Sequence, residues 1–127
     1  MLLFVYGTLR NGAENHAELN GARYAGRART EAAYELLDLG AYPALVEGGA
    51  TAIMGEVYEV DDTLLRRLDV FEEVPEVYER KLVRLALDAT HPVEAYVMRR
   101  EQALRARAPT IASGDWCALR RHQRQQI

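Results

Sequence analysis

The sequence has few of the residues from which disulfide frameworks and metal sites are built. It contains one cysteine, Cys117, and three histidines that lie far apart, at positions 16, 91 and 122. A single cysteine cannot form an internal disulfide, and the spread of the histidines argues against a zinc site. A Walker loop, a dinucleotide fingerprint and a Gly-x-Ser-x-Gly elbow are also missing. We therefore expect neither a metal nor another cofactor.

Long apolar runs and a surplus of basic residues are missing as well. The apolar start, residues 2–5, is too short for a signal peptide or a membrane span. The 16 Lys and Arg residues against 19 Asp and Glu residues give a net charge of −3, which argues against nucleic-acid binding. The basic segment 120–124 is typical of a solvated helix end or tail.

The length of the chain is that of one domain, residues 1–127, with no linker-like or repetitive stretch. We expect a cytoplasmic protein that acts on neither nucleic acid nor membrane. Scattered charges and the absence of a heptad pattern are compatible with a monomer or a weak homodimer.

The hydrophobic pattern predicts several short strands and one clear amphipathic helix. Strands are predicted at residues 2–5, 23–37, 42–46, 53–60, 77–87 and 91–98, with a turn at 88–90. The helix follows Asp61-Asp62, an N-cap pair, and is expected to end at Pro75, with Phe71 on its apolar face. Weaker helices are predicted at 14–20, at 101–108 and after 116. Because strands and helices do not alternate, the pattern indicates an α+β fold.

The first candidate site is the turn that follows the opening strand, Tyr6-Gly7-Thr8-Leu9-Arg10-Asn11-Gly12. Gly7 permits a sharp turn or a close approach to a ligand. Several backbone N–H groups of such a turn lack strand partners and can form an anion-binding concavity. The alternative is an ordinary glycine turn.

The second candidate site lies at the end of the amphipathic helix. Glu72 can lie beside the apolar face there, where desolvation would raise its pKa toward the neutral range that a general base needs. The alternative is a solvated acidic rim, because Glu is rarely buried. That rim would comprise Glu72, Glu73, Glu76 and Glu79.

Tyr78 and Arg80 follow at a strand spacing of two and could orient a substrate together with Glu72. Alternatively, Tyr78 is a structural aromatic and Arg80 an ion-pair partner of Glu79 or Glu56. Three other tyrosines are expected to be core or rim aromatics rather than ligands: Tyr42, Tyr58 and Tyr96.

Five blocks follow one another along nearly the whole chain. They are Tyr6-Gly7-Thr8-Leu9-Arg10 with Gly12, Asn15 and His16; Tyr42-Pro43-Ala44-Leu45; Gly55-Glu56-Val57-Tyr58; Leu68-Asp69-x-Phe71-Glu72-x-x-Pro75-x-x-Tyr78-x-Arg80; and Ser113-Gly114-Asp115-Trp116. In this order they resemble the gamma-glutamylcyclotransferase family, and most of all its gamma-glutamylamine cyclotransferase and AIG2-like branch.

The resemblance implies an α+β fold with a small mixed β-barrel-like sheet and a few flanking helices. It also implies conversion of a γ-glutamyl amine or γ-glutamyl amino acid into 5-oxoproline and a free amine, with Glu72 as the catalytic acid and base. The substrate-binding residues would be Tyr6, Gly7, Thr8, Leu9 and Tyr78. Glu73 departs from the family, in which many members have Gly or a small residue after the catalytic Glu.

Such a reaction fits a sequence that is poor in Cys and His. The nucleophile is the α-amine of the substrate, so neither a protein nucleophile nor a metal is required. Two alternatives use the same residues: a non-catalytic module that senses a γ-glutamyl metabolite, and a γ-glutamyl amide hydrolase in which Glu72 activates water.

Overall fold

In the part of the chain that the structure describes, the fold combines a mixed sheet of seven strands with three α-helices and one short 3₁₀ helix. A computed structural model describes residues 1–86 and 91–125. The strands are β1 (Leu2–Val5), β2 (Arg23–Arg29), β3 (Tyr34–Asp38), β4 (Pro43–Glu47), β5 (Met54–Glu59), β6 (Glu79–Val83) and β7 (Val93–Val97). The helices are α1 (Asp62–Phe71), α2 (Arg100–Ala106) and α3 (Trp116–Gln125), and the 3₁₀ helix is His16–Leu19. None of the described helices is long and apolar enough to cross a membrane.

The strands of the sheet follow the order β2-β5-β1-β7-β4-β3, and β6 pairs with β7. The pairs β1–β7 and β4–β7 are parallel, and the other pairs are antiparallel. The predicted α+β class and mixed sheet are confirmed. Within the described residues β2, β3 and β6 are edge strands, so the seven strands do not form a closed barrel. An isolated antiparallel bridge between Thr30 and Leu85 nevertheless joins the chain just after β2 to the chain just after β6.

The central strand β1 is buried on both faces because its side chains alternate between two hydrophobic cores. Leu3 and Val5 belong to the core that contains Leu68 of α1. Phe4 belongs to the core on the other face, which contains Trp116 of α3. The two helices therefore cover opposite faces of the sheet, and the short apolar run at the start of the chain fills its centre.

A divergence between strands opens the sheet next to β1. β1 pairs with the start of β7 through Leu2 and Leu3, whereas β4 pairs with the end of β7 through Leu45. The Tyr6 hydroxyl lies at this divergence, where it donates to the Tyr96 carbonyl at 2.6 Å and accepts from the Leu45 amide at 3.2 Å. Tyr6 thus links β7 to β4 through one buried backbone group of each strand.

Several sequence predictions need correction in their boundaries. The extended segment predicted at 23–37 is two strands, β2 and β3, which pair with different neighbours. The helix predicted at 14–20 is only the 3₁₀ helix His16–Leu19. The turn predicted at 88–90 lies outside the described residues.

The amphipathic helix also ends earlier than expected. Asp61 caps α1 as predicted, since its side chain accepts from the Leu64 amide at 2.8 Å. However, α1 ends at Phe71 rather than at Pro75. Glu73 follows with a φ of 55°, the left-handed conformation that ends a helix. Phe71 is 39% exposed and so lies at the edge of the apolar face rather than in the core.

Candidate active site

A narrow pocket that opens to solvent lies beside the loop that follows β1. Its wall includes the six residues that the family resemblance implies as catalytic or substrate-binding, Tyr6, Gly7, Thr8, Leu9, Glu72 and Tyr78. Arg80, which was considered as a residue that orients the substrate, does not line the pocket. The structure therefore brings the two candidate sites, which lie far apart in the sequence, to one cavity.

Glu72 is placed in this pocket by the end of α1. Its amide donates to the Leu68 carbonyl at 2.8 Å, which fixes its backbone as the cap of the helix. Burial raises the pKa of its carboxyl to about 7, and the nearby negative charge of Glu73 adds to this rise. No described residue forms a hydrogen bond or an ion pair with the carboxyl. A carboxyl of this kind is ready both to accept and to donate a proton near neutral pH.

Three tyrosines surround Glu72, and their hydroxyls are already bound to the protein. Burial raises the pKa of Tyr6, Tyr78 and Tyr96, and the charge of Glu72 contributes to each rise. Tyr78 donates to the Pro43 carbonyl at 2.7 Å, and Tyr96 donates to Asp69 at 2.8 Å. These protonated hydroxyls shape the pocket wall and leave Glu72 as its unpaired acid.

The loop from Gly7 to Leu9 presents backbone N–H groups. Its carbonyls are occupied: that of Gly7 accepts from the Arg10 amide, that of Thr8 from the Asn15 amide, and that of Leu9 from His16 Nδ1. In contrast, none of the described residues accepts a hydrogen bond from the three amides of this loop. Backbone amides of a turn that lack an acceptor can together bind an anionic group.

The glycine at position 7 is explained by its contact with Pro43. A Cβ atom built at Gly7 would lie 2.6 Å from Cγ of Pro43, well inside van der Waals contact. The glycine thus permits the close approach that the sequence suggested, but the approaching group that the structure reveals is Pro43 of the facing pocket wall.

A buried ion network holds the far end of this loop, and the sequence analysis missed it. Arg10 lies 2.9 Å from Asp115 and 3.5 Å from Glu56. The Asn11 amide and the Tyr58 hydroxyl also donate to Glu56, at 2.9 and 3.0 Å. The signal was available, because the third and fifth sequence blocks contain these two acids and the structure joins both to the first block.

The charge state of Asp115 depends on its partners. Burial alone would raise the pKa of this carboxyl, but the Ala118 amide and the Arg10 guanidinium together hold it below its ordinary value. Asp115 thereby caps the start of α3 while it pairs with Arg10. The network ties the loop to both β5 and α3.

One expectation about a surrounding side chain was wrong. Arg80 pairs with Asp69 at 2.8 Å and with Glu94 at 2.7 Å, and not with Glu79 or Glu56 in the described part of the chain. The expectation of core or rim aromatics is confirmed for Tyr96, which is 4% exposed, and for Tyr42, which is 42% exposed; both also line the pocket. The alternation of side chains along β7 does not predict that Tyr96 lies in the pocket. Its place there depends on β1 and β4 pairing with opposite ends of β7.

Other reactive groups are not assembled in the described residues. Within residues 1–86 and 91–125, no three His, Cys, Asp or Glu side chains form a group that could hold a metal ion. Burial raises the pKa of the Cys117 thiol, which lowers the fraction of reactive thiolate.

The contribution of Glu73 to the raised pKa of Glu72 can be tested by substitution. We expect Glu73→Gln to lower the pKa of Glu72 below about 7, because the substitution removes the charge that disfavours ionisation of its neighbour. The measurement is an NMR titration of the Glu72 carboxyl in protein labelled with ¹³C-glutamate. Glu76→Gln is the matched control, since Glu76 does not contribute to this rise; equal titration curves for the two variants would contradict the assignment.

Comparison with known proteins gives one consistent answer. The sequence profile of the family described as "Gamma-glutamyl cyclotransferase, AIG2-like" matches residues 3–118. A protein of Vibrio cholerae named "Putative gamma-glutamylcyclotransferase" is 41% identical over 116 residues, which cover 91% of this chain and 95% of that protein. The gamma-glutamylaminecyclotransferase of Bos taurus is 40% identical over 105 residues, 75% of this chain and 62% of that protein. The crystal structure of an AIG2-like protein from Mus musculus is similar with a TM-score of 0.66 and 32% identity, covering 77% of this chain and 75% of that one.

Proposed function

Because this chain belongs to the gamma-glutamyl cyclotransferase, AIG2-like, family and is an enzyme of that kind, we propose its substrate class and its acid–base residue. The substrate is a γ-glutamyl amine or a γ-glutamyl amino acid, and the products are 5-oxoproline and the free amine. Glu72 is the general base and general acid. The observation that carries the proposal is the unpaired Glu72 carboxyl in the pocket, with its pKa raised to about 7.

In the proposed mechanism, the nucleophile comes from the substrate. The ionised Glu72 carboxylate takes a proton from the α-ammonium group, and the resulting amine attacks the γ-carbonyl carbon, whose oxygen takes the negative charge. As the tetrahedral intermediate collapses, the bond to the leaving nitrogen breaks and Glu72 gives its proton to that nitrogen. The Glu72 carboxylate then takes the second proton from the ring nitrogen, which becomes the lactam N–H, and this proton passes to the released amine, which leaves as an ammonium ion. Holding the glutamyl chain in the folded, near-attack geometry can contribute on the order of 7 to 11 kcal/mol to the rate.

The loop from Gly7 to Leu9 is proposed to hold the charged parts of the glutamyl group. Its free amides can bind the α-carboxylate or the oxygen on which negative charge develops, where preorganised donors are most effective. Tyr6 and Tyr78 contribute shape and apolar contact rather than protons, because their hydroxyls are bound to backbone carbonyls. The substrate-binding role of these residues, and of Thr8, is part of the proposal.

Product analysis tests the proposal directly. We expect the protein to release 5-oxoproline from γ-glutamyl-ε-lysine or from one of several γ-glutamyl amines, as measured by mass spectrometry. Release of free glutamate would instead identify the hydrolase in which Glu72 activates water. Binding without either product would identify the sensing module.

We also propose that the chain acts as one domain, residues 1–127, in the cytoplasm, without nucleic acid, as a monomer or weak homodimer.

A further inference from the structure

A cluster of polar side chains lies behind the pocket wall, on the side of α1 that faces the sheet. Asp69 Oδ1 accepts from Arg80 Nε at 2.8 Å and from the Tyr96 hydroxyl at 2.8 Å. Arg80 Nη1 in turn donates to Glu94 at 2.7 Å. Asp69 and Arg80 are each about three-quarters buried, with side-chain exposures of 24% and 27%. One carboxyl oxygen thus joins α1 to β6 and β7.

Asp69 is connected to Glu72 through the backbone as well. It lies three residues before Glu72, so the two side chains leave neighbouring positions on the same side of the helix end. The carbonyl of Asp69 accepts from the Val74 amide at 3.0 Å, which closes the chain back over Glu72. Asp69 therefore fixes the segment that carries Glu72 in two ways. Its side chain binds Arg80 and Tyr96 of the sheet, and its carbonyl binds the turn that follows the helix.

Tyr96 extends this connection across the pocket. Its ring lines the pocket, its hydroxyl is bound by Asp69, and its carbonyl accepts from the Tyr6 hydroxyl. The segment with Glu72 and the start of the loop that follows β1 are therefore linked through one tyrosine. The Glu72 carboxyl has no polar partner of its own among the described residues, so its place depends on this frame.

We propose that Asp69 is a positioning residue for Glu72: its contacts with Tyr96 and Arg80 set the distance between the acid–base carboxyl and the substrate loop. The inference rests on the proposed function, since it concerns the same site. Asp69 itself does not act on the substrate in this proposal, because it does not line the pocket and its Oδ1 accepts from two protein donors. A misplacement of about 1 Å in such a site can cost about 100-fold in rate.

The test compares Asp69→Ala with the conservative Asp69→Asn, using γ-glutamyl-ε-lysine as the probe. We expect Asp69→Ala to lower kcat by about 10- to 100-fold with a change in KM of less than about threefold, because positioning rather than binding is lost. Asp69→Asn keeps an oxygen acceptor for both donors, and we expect it to keep kcat within about fivefold of wild type.

Asp61→Ala is the matched control for stability. It removes an aspartate from the other end of the same helix, where Asp61 accepts from the Leu64 amide, and it leaves the end with Glu72 intact. We expect both alanine variants to lower Tm, but only Asp69→Ala to lower kcat. Equal kcat values for Asp69→Ala and Asp61→Ala would overturn the inference, as would an Asp69→Asn variant as slow as Asp69→Ala.

A readout without turnover separates this inference from the proposed function. In an NMR titration of the Glu72 carboxyl, Asp69→Ala should lower the pKa relative to Asp69→Asn, because a displaced Glu72 regains contact with water. Both substitutions remove the charge of Asp69, so a difference between them reports on position. If the wild type forms no 5-oxoproline, the proposed function fails and this titration still decides the inference; coincident titrations would then overturn it.

Discussion

Glu72→Gln is expected to abolish 5-oxoproline formation while the variant still folds and binds 5-oxoproline. The amide has the shape of the carboxyl but cannot take a proton from the substrate amine, and loss of a general acid–base group costs about 10²- to 10⁴-fold in rate. The measurement is turnover of γ-glutamyl-ε-lysine by mass spectrometry, with product binding by calorimetry. Glu76→Gln, at an exposed position after α1, is the control that should keep turnover; wild-type turnover by Glu72→Gln would exclude Glu72 as the base.

The same substitution is expected to stabilise the protein in a pH-dependent way. The pKa of Glu72 is raised in the folded protein, from 4.5 to about 7, so its ionisation opposes folding. This cost is absent below the unfolded pKa, grows as the pH rises between the two values and is complete above the folded pKa. Thermal unfolding should therefore show Glu72→Gln as more stable than wild type at about pH 8, and equal to it at about pH 4. An equal gain at both pH values would show that Glu72 is not desolvated.

Arg10→Met is expected to destabilise the fold by about 3 kcal/mol at neutral pH. The substitution keeps much of the side-chain length but leaves Glu56 and Asp115 without their shared counter-charge in a buried environment, where Arg10 is 6% exposed. Chemical denaturation measures the loss. The carboxyl of Asp115 has a depressed pKa in the fold, so its stabilising contribution is present above its unfolded pKa and is lost as the pH falls through its folded pKa. The difference between variant and wild type should therefore shrink in acid.

Arg23→Met supplies the matched control for Arg10→Met. Arg23 pairs with Glu59 at 2.7 Å, but the two side chains are 74% and 51% exposed. An exposed pair of this kind contributes between about 0 and 1 kcal/mol. If both variants lose the same stability, the network around Arg10 does not hold the loop as the structure indicates.

The parts of the fold that sequence predicted well are those with a local cause. The apolar run of β1 predicted a buried strand, and the Asp61 cap together with the helical spacing of Leu64 and Leu68 predicted α1. The break between β2 and β3 was not predicted, because it depends on which distant strand each one joins. The end of α1 was placed at Pro75 since proline is the visible breaker, whereas Glu73 ends the helix through a conformation that its residue type does not signal.

In the candidate site, too, the sequence predicted some features and not others. Glu72 and the loop from Tyr6 to Leu9 could be named from residue chemistry and from the resemblance to a family. Their meeting in one pocket, and the contribution of Tyr42 and Tyr96 to its wall, follow from the pairing of β7 with β1 and β4. Neither could be derived from spacing along the chain.

The central place of β1 in the sheet also bears on how the protein folds. β1 comes first in the chain, yet its partners are β5 and β7, which come much later. Sheets that depend on such distant pairings fold in about milliseconds to seconds, slower than folds built from local contacts. The pocket is lined both by Tyr6, which follows β1, and by Tyr96, which lies in β7. A partly folded chain without β7 would therefore have no complete site. Recovery of ligand binding during refolding should therefore be among the last signals to appear, after the formation of α1.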